Sequence, residues 1–260
     1  MSLLRSFREW LGRYLLGVFR ATERLNRDAI LESLAGVNGT SLLDCGCGDG
    51  QFTVELAATV GSESVYGIEW DFGRLGVARS NGVAAVRADL NESWPFEDAS
   101  FDVVHSNQVI EHLHSTDTFL RETHRVLKPG GMAVLSTNNM ASWHNVASLI
   151  LGLQPPPMHV SSEVIAGNPL DPLSGTRHPT AGDSHLRLFS FRGLRDLLEY
   201  HRFRLKSLVS VGYYPLSPAA ARVATRVDRW HGAFLVATLT KADTPADLLT
   251  RRSHSDPSSV

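Results

Sequence analysis

The stretch LLDCGCGDGQF (42–52) decides how the chain folds: a short apolar run breaks into glycines spaced Gly46-x-Gly48-x-Gly50, and a helical pattern follows to Val60. Glycines directly after a strand let the backbone turn tightly and approach a ligand closely, with a helix N-terminus behind them. The spacing is not the G-x-G-x-x-G of a dinucleotide fingerprint. Asp44 precedes the turn and Asp49 lies within it. Acidic groups there repel a pyrophosphate and attract a cation. Glu69 ends the next apolar run, where an acidic side chain can bind both hydroxyls of a ribose. These charges describe a nucleoside without phosphates that carries a positive amino-acid end.

Outward from this stretch, apolar runs alternate with helical patterns. Runs at 41–45, 64–69, 83–88, 101–106 and 132–137 read as strands, with helices predicted at 51–60, 72–80 and 116–127. Lys128-Pro129-Gly130-Gly131 reads as the turn that stops the last of these helices. Such alternation implies parallel pairing through crossover helices, hence an α/β, doubly wound sheet. Ligands of these sheets sit beyond the carboxyl ends of the strands, which points to 44–50, 69–71, 89–90, 107–112 and 138–139. The rhythm breaks over about 140–188, where a helix at 141–151 leads into Pro155-Pro156-Pro157 and a Gly/Pro/Ser-rich stretch. A loop of that length reads as a cap over the substrate. A helix at 190–200 and strands at 204–211 and 233–240 follow, and the polar tail 244–260 reads as disordered.

The 260 residues are 43% hydrophobic and 20% charged, ordinary for a globular protein with a real core. A net charge of −2 gives no global reason to expect nucleic acid as partner. Cys45 and Cys47 are the two cysteines and stand too close along a strand to bridge, which fits a reducing cytoplasm. No stretch is apolar for the length of a membrane span. Within 1–35, Leu3, Leu4, Phe7, Trp10, Leu11, Tyr14, Leu15 and Val18 follow helical spacing, with Arg5, Arg8, Glu9 and Arg13 on other faces. This amphipathic segment reads as a lid or dimer contact, or else as a helix making peripheral membrane contact. The oligomeric state stays open.

The segments LLDCGCGDGQF (42–52), VYGIEWD (65–71), RADL (87–90), PFEDASFDVVHSNQVIEHL (95–113) and RETHRVLKPGGMAVLSTNN (121–139) together resemble the class I S-adenosylmethionine-dependent methyltransferases. The resemblance covers about 40–137. It implies a Rossmann-like, seven-stranded, mostly parallel sheet whose last strand is antiparallel. One domain over 36–243 would then carry the cap insertion after its fifth strand. It also implies roles. Gly46, Gly48 and the backbone at Cys47 pack against the methionine and ribose, and Asp44 holds the ammonium directly or through water. Glu69 takes the ribose, Trp70 contacts the adenine, and Asp89 receives the adenine amino group beside the Leu90 amide. Asn107 borders the methionine end.

Methyl transfer is an in-line displacement, so the protein must hold the acceptor close and aligned and, for a hydroxyl, remove its proton. Gln108-Val109-Ile110-Glu111-His112 is similar to the E-x-x-E-H segment of the ubiquinone-pathway and small-RNA O-methyltransferases. Glu111 and His112, with His185 from the region after the fifth strand, are the catalytic candidates. The resemblance leaves room for a divalent metal, magnesium, but Gln108 replaces its first carboxylate and weakens such a site. STNNMASWHN (136–145) and GYYPL (212–216) are similar to methyltransferases of bacterial glycan and secondary-metabolite pathways. The expected activity is therefore O-methylation of a small-molecule or glycan acceptor. N- or C-methylation, a nicotinamide-dependent oxidoreductase and an inactive cofactor-binding homologue are the alternatives.

Overall fold

Leu42, Leu43 and Cys45 have no exposed surface, so strand β1 (Ser41–Cys45) is covered on both faces. That pattern belongs to a central strand of a sheet flanked by helices. The computed structural model describes residues 2–178 and 184–242, with 2–9 described by backbone alone. The predicted disordered tail, 244–260, lies outside the described residues. In chain order the elements are α1 (Ser2–Leu34), β1, α2 (Gln51–Val60), β2 (Ser64–Ile68), α3 (Phe72–Ser80), β3 (Ala84–Val86) and β4 (Phe101–Asn107). A 3-10 turn (Ile110–His112), α4 (Thr116–Val126), β5 (Leu127–Asn138), α5 (Trp143–Ile150) and α6 (Phe191–Tyr200) come next. The chain closes with β6 (Phe203–Val211), α7 (Pro218–Val227) and β7 (Phe234–Lys241).

The seven strands form one sheet in the order β3-β2-β1-β4-β5-β7-β6. β1 pairs in parallel with β2 and with β4, and β2 with β3. Strand order therefore reverses between β1 and β4, and Asp44 stands in register with Gly67 on one side and His105 on the other. β7 runs against β5: the Asn139 amide just past β5 donates to the Ala233 carbonyl just before β7, and Lys241 Nζ at the end of β7 reaches the Leu127 carbonyl. The described residues divide into two compact units. The sheet unit lies within Leu31–Leu135, Arg192–Leu208 and Ala237–Val260; the helix-rich unit lies within Met1–Ile30, Ser136–Phe191 and Val209–Val236.

Two readings of the sequence need correction. Lys128–Gly131 is not a turn after α4: the helix ends at Val126 and the four residues open β5, with Gly130 at φ 74°. A tertiary contact straightens them. Lys128 Nζ reaches Asp102 Oδ2 at 3.0 Å, and that carboxylate also accepts from Thr40 and Ser41 at the start of β1. Burial alone would raise the Asp102 pKa, but these hydrogen bonds hold it well below the usual carboxylate range. The second correction is α7, which the sequence reading left inside a β6–β7 connection. Ser217 caps it and Pro218 opens it, the usual start signals.

His124 on α4 sits edge-on to Phe203 with ring centroids 5.4 Å apart. Burial, with the charges of Lys241 and Arg202 and the nearby His201, pushes its pKa down to about 4. An unfolded histidine titrates near about 6.5. Between these values the unfolded chain binds the extra proton, so stability is present above that window and is lost as pH falls through it. The melting temperature is expected to drop between pH 7 and pH 4.5, and to drop less in His124→Leu; calorimetric scans at the two pH values check this.

Candidate cofactor site

All candidate cofactor residues belong to the sheet unit. Gly46, Gly48 and Gly50 have φ of 79°, 57° and 79°, a conformation that penalises a side chain. Their surroundings differ. A Cβ on Gly46 would stand 2.4 Å from Val109 Cγ2, and one on Gly50 would meet Ala78 Cα at 3.0 Å, so both glycines serve close packing. A Cβ on Gly48 meets nothing within 4 Å. The open side of the loop is at Gly48.

The loop amides are already used. The Gly46 and Cys47 N–H groups both donate to the Ile68 carbonyl, at 2.8 and 3.0 Å, and the Gly50 N–H donates to the Cys47 carbonyl. The Gly48 N–H donates to Glu69 Oε2 at 2.9 Å. A phosphate-binding loop instead aims such amides at its anion. What this loop presents is a carboxylate edge. Glu69 Oε1 accepts the Asp71 amide at 2.7 Å, so each carboxylate oxygen holds one backbone donor and keeps acceptor capacity for a hydroxyl. Asp71 caps α3 through the Arg74 amide, as its position before the helix suggests.

Glu69 leads into Trp70, which is exposed, with the Arg87 guanidinium 4.5 Å from its ring centroid. Arg87 Nε also donates to the Trp70 carbonyl. This cation–π contact covers one indole face and fixes the ring's orientation. Asp89 Oδ1 accepts both the amide and the Nδ2 group of Asn91, a side-chain turn that sets the start of the next loop. Leu90 beside it is buried.

Asp44 is almost fully buried, and its oxygens are engaged from both sides: Thr53 Oγ1 at 2.6 Å and His105 Nδ1 at 2.7 Å. Phe52 stands edge-on to the His105 ring. His105 and Thr53, the two side chains that hold Asp44, are absent from the sequence reading. The available signal was a histidine inside the apolar run of β4, opposite an aspartate on β1. Cys47 turns its side chain into a cluster with Leu75, Ala78, Val83 and Ala85. Burial, then the charges of Asp44 and Glu69, push its thiol up to about 12, so it stays protonated and shapes the loop.

Asn107 ends β4, and the next residue, Gln108, has φ 56° without being glycine. Such a conformation is held by its surroundings. Here it redirects the chain so that Val109 lies against Gly46, which brings the 107–112 segment onto the glycine loop. Glu111 is fully buried in the 3-10 turn, and His112 is half-buried with its amide on the Val109 carbonyl. His185 belongs to the helix-rich unit. There its Nδ1 contacts the Pro157 carbonyl oxygen at 2.7 Å, and its ring stacks on His159 at 4.8 Å.

Residues 43–135 match the family described as Methyltransferase domain. A curated relative, a "Probable S-adenosylmethionine-dependent methyltransferase" of Mycolicibacterium smegmatis, is 37% identical over 105 residues, 39% of this chain and 39% of that one. A demethylmenaquinone methyltransferase of Staphylococcus aureus is 31% identical over 144 residues, 49% of this chain and 59% of its own. The chain thus spans less than two thirds of the length of these relatives. Among solved structures, one from Thermotoga maritima, described as an SAM-dependent methyltransferase and "possible histamine N-methyltransferase", shares the fold. Its TM-score is 0.57 at 19% identity, covering 88% of this chain and 97% of that one.

Gly46→Ala is expected to cost about 1–3 kcal/mol by over-packing against Val109. Gly48→Ala, which meets only the φ penalty, is expected to cost less and to weaken ligand binding instead. Urea unfolding of the two variants beside the parent checks the order.

Proposed function

We propose, from the match of residues 43–135 to a methyltransferase domain and the similarity to an S-adenosylmethionine-dependent relative, that the chain binds S-adenosylmethionine at the glycine loop and methylates a hydroxyl of a small molecule or glycan. The observation that carries the binding half is the use of the loop amides. With Gly46, Cys47, Gly48 and Gly50 donating inside the protein, little is left to cradle a pyrophosphate. The carboxylates Asp44 and Glu69 instead favour a ligand that is cationic and brings hydroxyl donors. The residues present therefore fit this cofactor.

In this reading Glu69 holds the ribose hydroxyls with the acceptor capacity left on its two oxygens. Trp70 offers the adenine the indole face turned from Arg87. Asp89 receives the adenine amino group with the Leu90 amide beside it, and Asn107 borders the methionine end. Asp44 contributes charge from below the loop, since Thr53 and His105 occupy its oxygens. Gly46, Cys47 and Gly48 supply the surface against which the cofactor packs. When bound, S-adenosylmethionine supplies a methyl group on a sulfonium leaving group.

What remains for the chain is alignment and proton removal. His112 takes the proton from the acceptor hydroxyl, Glu111 anchors the turn that carries it, and His185 is the second candidate base. The relatives' names point to different acceptors, a demethylmenaquinone and histamine. The hydroxyl is therefore argued from these side chains alone. Magnesium is not required by this reading, because Gln108 is a weaker ligand than a carboxylate.

Calorimetric titration with S-adenosylhomocysteine, with NAD in parallel, is the direct test. Micromolar-range binding of the first and none of the second is expected. Binding of NAD, or of neither, overturns the reading. Glu69→Ala is expected to weaken S-adenosylhomocysteine at least tenfold. His112→Ala is expected to lower kcat far more than cofactor affinity, with or without added magnesium; equal loss of both means damage to the turn rather than loss of a base.

A further inference from the structure

The helix-rich unit exposes an apolar strip that its own packing does not explain. α5 carries no charged residue and exposes Trp143, Ala147, Leu149 and Ile150; Trp143, Ala147 and Ile150, continued by Leu151 beyond the helix end, recur at the spacing of one helix face. Ile150 is 79% exposed. α7 buries Ala221 and turns Val223 and Val227 outward, the latter 85% exposed. A helix of this length is marginal in water, and its apolar side ordinarily packs.

The two strips are joined. Trp143 Nε1, at the start of α5, donates to Asp228 Oδ2 at 2.7 Å, and Asp228 is the residue that ends α7. The Trp143 ring also lies over His231, with centroids 4.4 Å apart. α1 adjoins both helices. Arg222 of α7 faces Asp28 of α1 at 3.6 Å, and Tyr214 takes edge contacts from Phe19 of α1 and His144 of α5.

Basic side chains outnumber acidic ones around this strip. α7 bears Arg222 and Arg226 with no acid before Asp228, and Arg229 follows. The exposed residues of α1 include Arg13, Arg20, Arg24 and Arg27, against Glu23, Glu32 and the Asp28 already facing Arg222. At the other end of α1, Trp10 and Tyr14 stack 5.8 Å apart. The whole chain carries a net charge of −2, so this concentration of arginine is local.

We propose that the α5–α7 strip and the arginine-bearing face of α1 form a docking surface for an anionic lipid bilayer, Ile150, Leu151, Val223 and Val227 entering the interface and the arginines meeting the headgroups. Aliphatic side chains rimmed by arginines, with tryptophan and tyrosine at the margin, are the composition of a helix surface that lies on a membrane. A second copy of the chain fits less well, because a two-fold contact would set the arginine rim against itself. RNA fits less well too, since its bases stack on aromatic rings and not on isoleucine or valine. The proposal concerns binding and does not depend on the acceptor or on catalysis.

The test uses the full chain with vesicles of phosphatidylcholine alone and of phosphatidylcholine mixed with phosphatidylglycerol, read by co-sedimentation. Binding to the mixed vesicles alone, reversed by high salt, is expected. Ile150→Asp combined with Val227→Asp should lower it at least tenfold, and Arg226→Gln combined with Arg229→Gln should reduce its salt dependence. Both pairs are exposed, so melting temperature and S-adenosylhomocysteine affinity serve as controls that should not move. No binding to the mixed vesicles overturns the proposal, as does equal binding by the aspartate variant. A concentration-dependent dimer that the aspartates abolish, or retention on RNA in place of vesicles, assigns the surface to another occupant and also overturns it.

Discussion

The carboxylate of Glu69 joins the two segments on which the candidate site rests. It accepts the Gly48 amide from the glycine loop and the Asp71 amide from its own strand end, so it ties β1's loop to β2's exit. A buried carboxylate needs such donors, because burial without them costs more than the bonds return. The same bonds turn the loop amides inward. Amides that face Glu69 and the Ile68 carbonyl do not face a phosphate.

Beneath the loop a second polar group is held the same way. Asp44 lies between β2 and β4 with Thr53 on one oxygen and His105 on the other, so the strand before the glycines, the helix after them and the neighbouring strand share one carboxylate. His105 Nε2 is buried and has no partner among the described residues. A polar nitrogen left so in a core restricts what can replace it. Gln108, at φ 56°, and Val109, against Gly46, then set the far side of the loop. The glycine at position 46 is thus required twice, by its backbone angle and by the valine that would meet a Cβ.

Much of the fold was legible. β1, α2 and α3 fall where the pattern of apolar runs and glycines puts them, and β2 through β7 differ at their ends. The alternation gave a doubly wound sheet, since crossover helices force parallel neighbours, but only the strand pairing places the reversal between β1 and β4. Asp71 as a helix cap was legible because capping is local. Lys128–Gly131 was misread because glycine and proline signal a turn unless a distant partner, here Asp102, draws the segment into a strand. α7 was missed although Ser217 and Pro218 mark its start; it buries a single alanine, Ala221.

Sequence by itself determined the class of the sheet, the methyltransferase-domain resemblance of residues 43–135 and the position of each acidic group beside the glycine loop, because spacing along a strand or turn dictates local geometry. Tertiary structure alone decided where those groups' hydrogen bonds go. Whether the Gly48 amide meets a ligand or Glu69, whether Asp44 faces a cation or His105, and whether the aliphatic side chains of α5 and α7 are covered or bare all depend on residues far apart in the chain. Pairing and burial of that kind are long-range, and no local pattern encodes them.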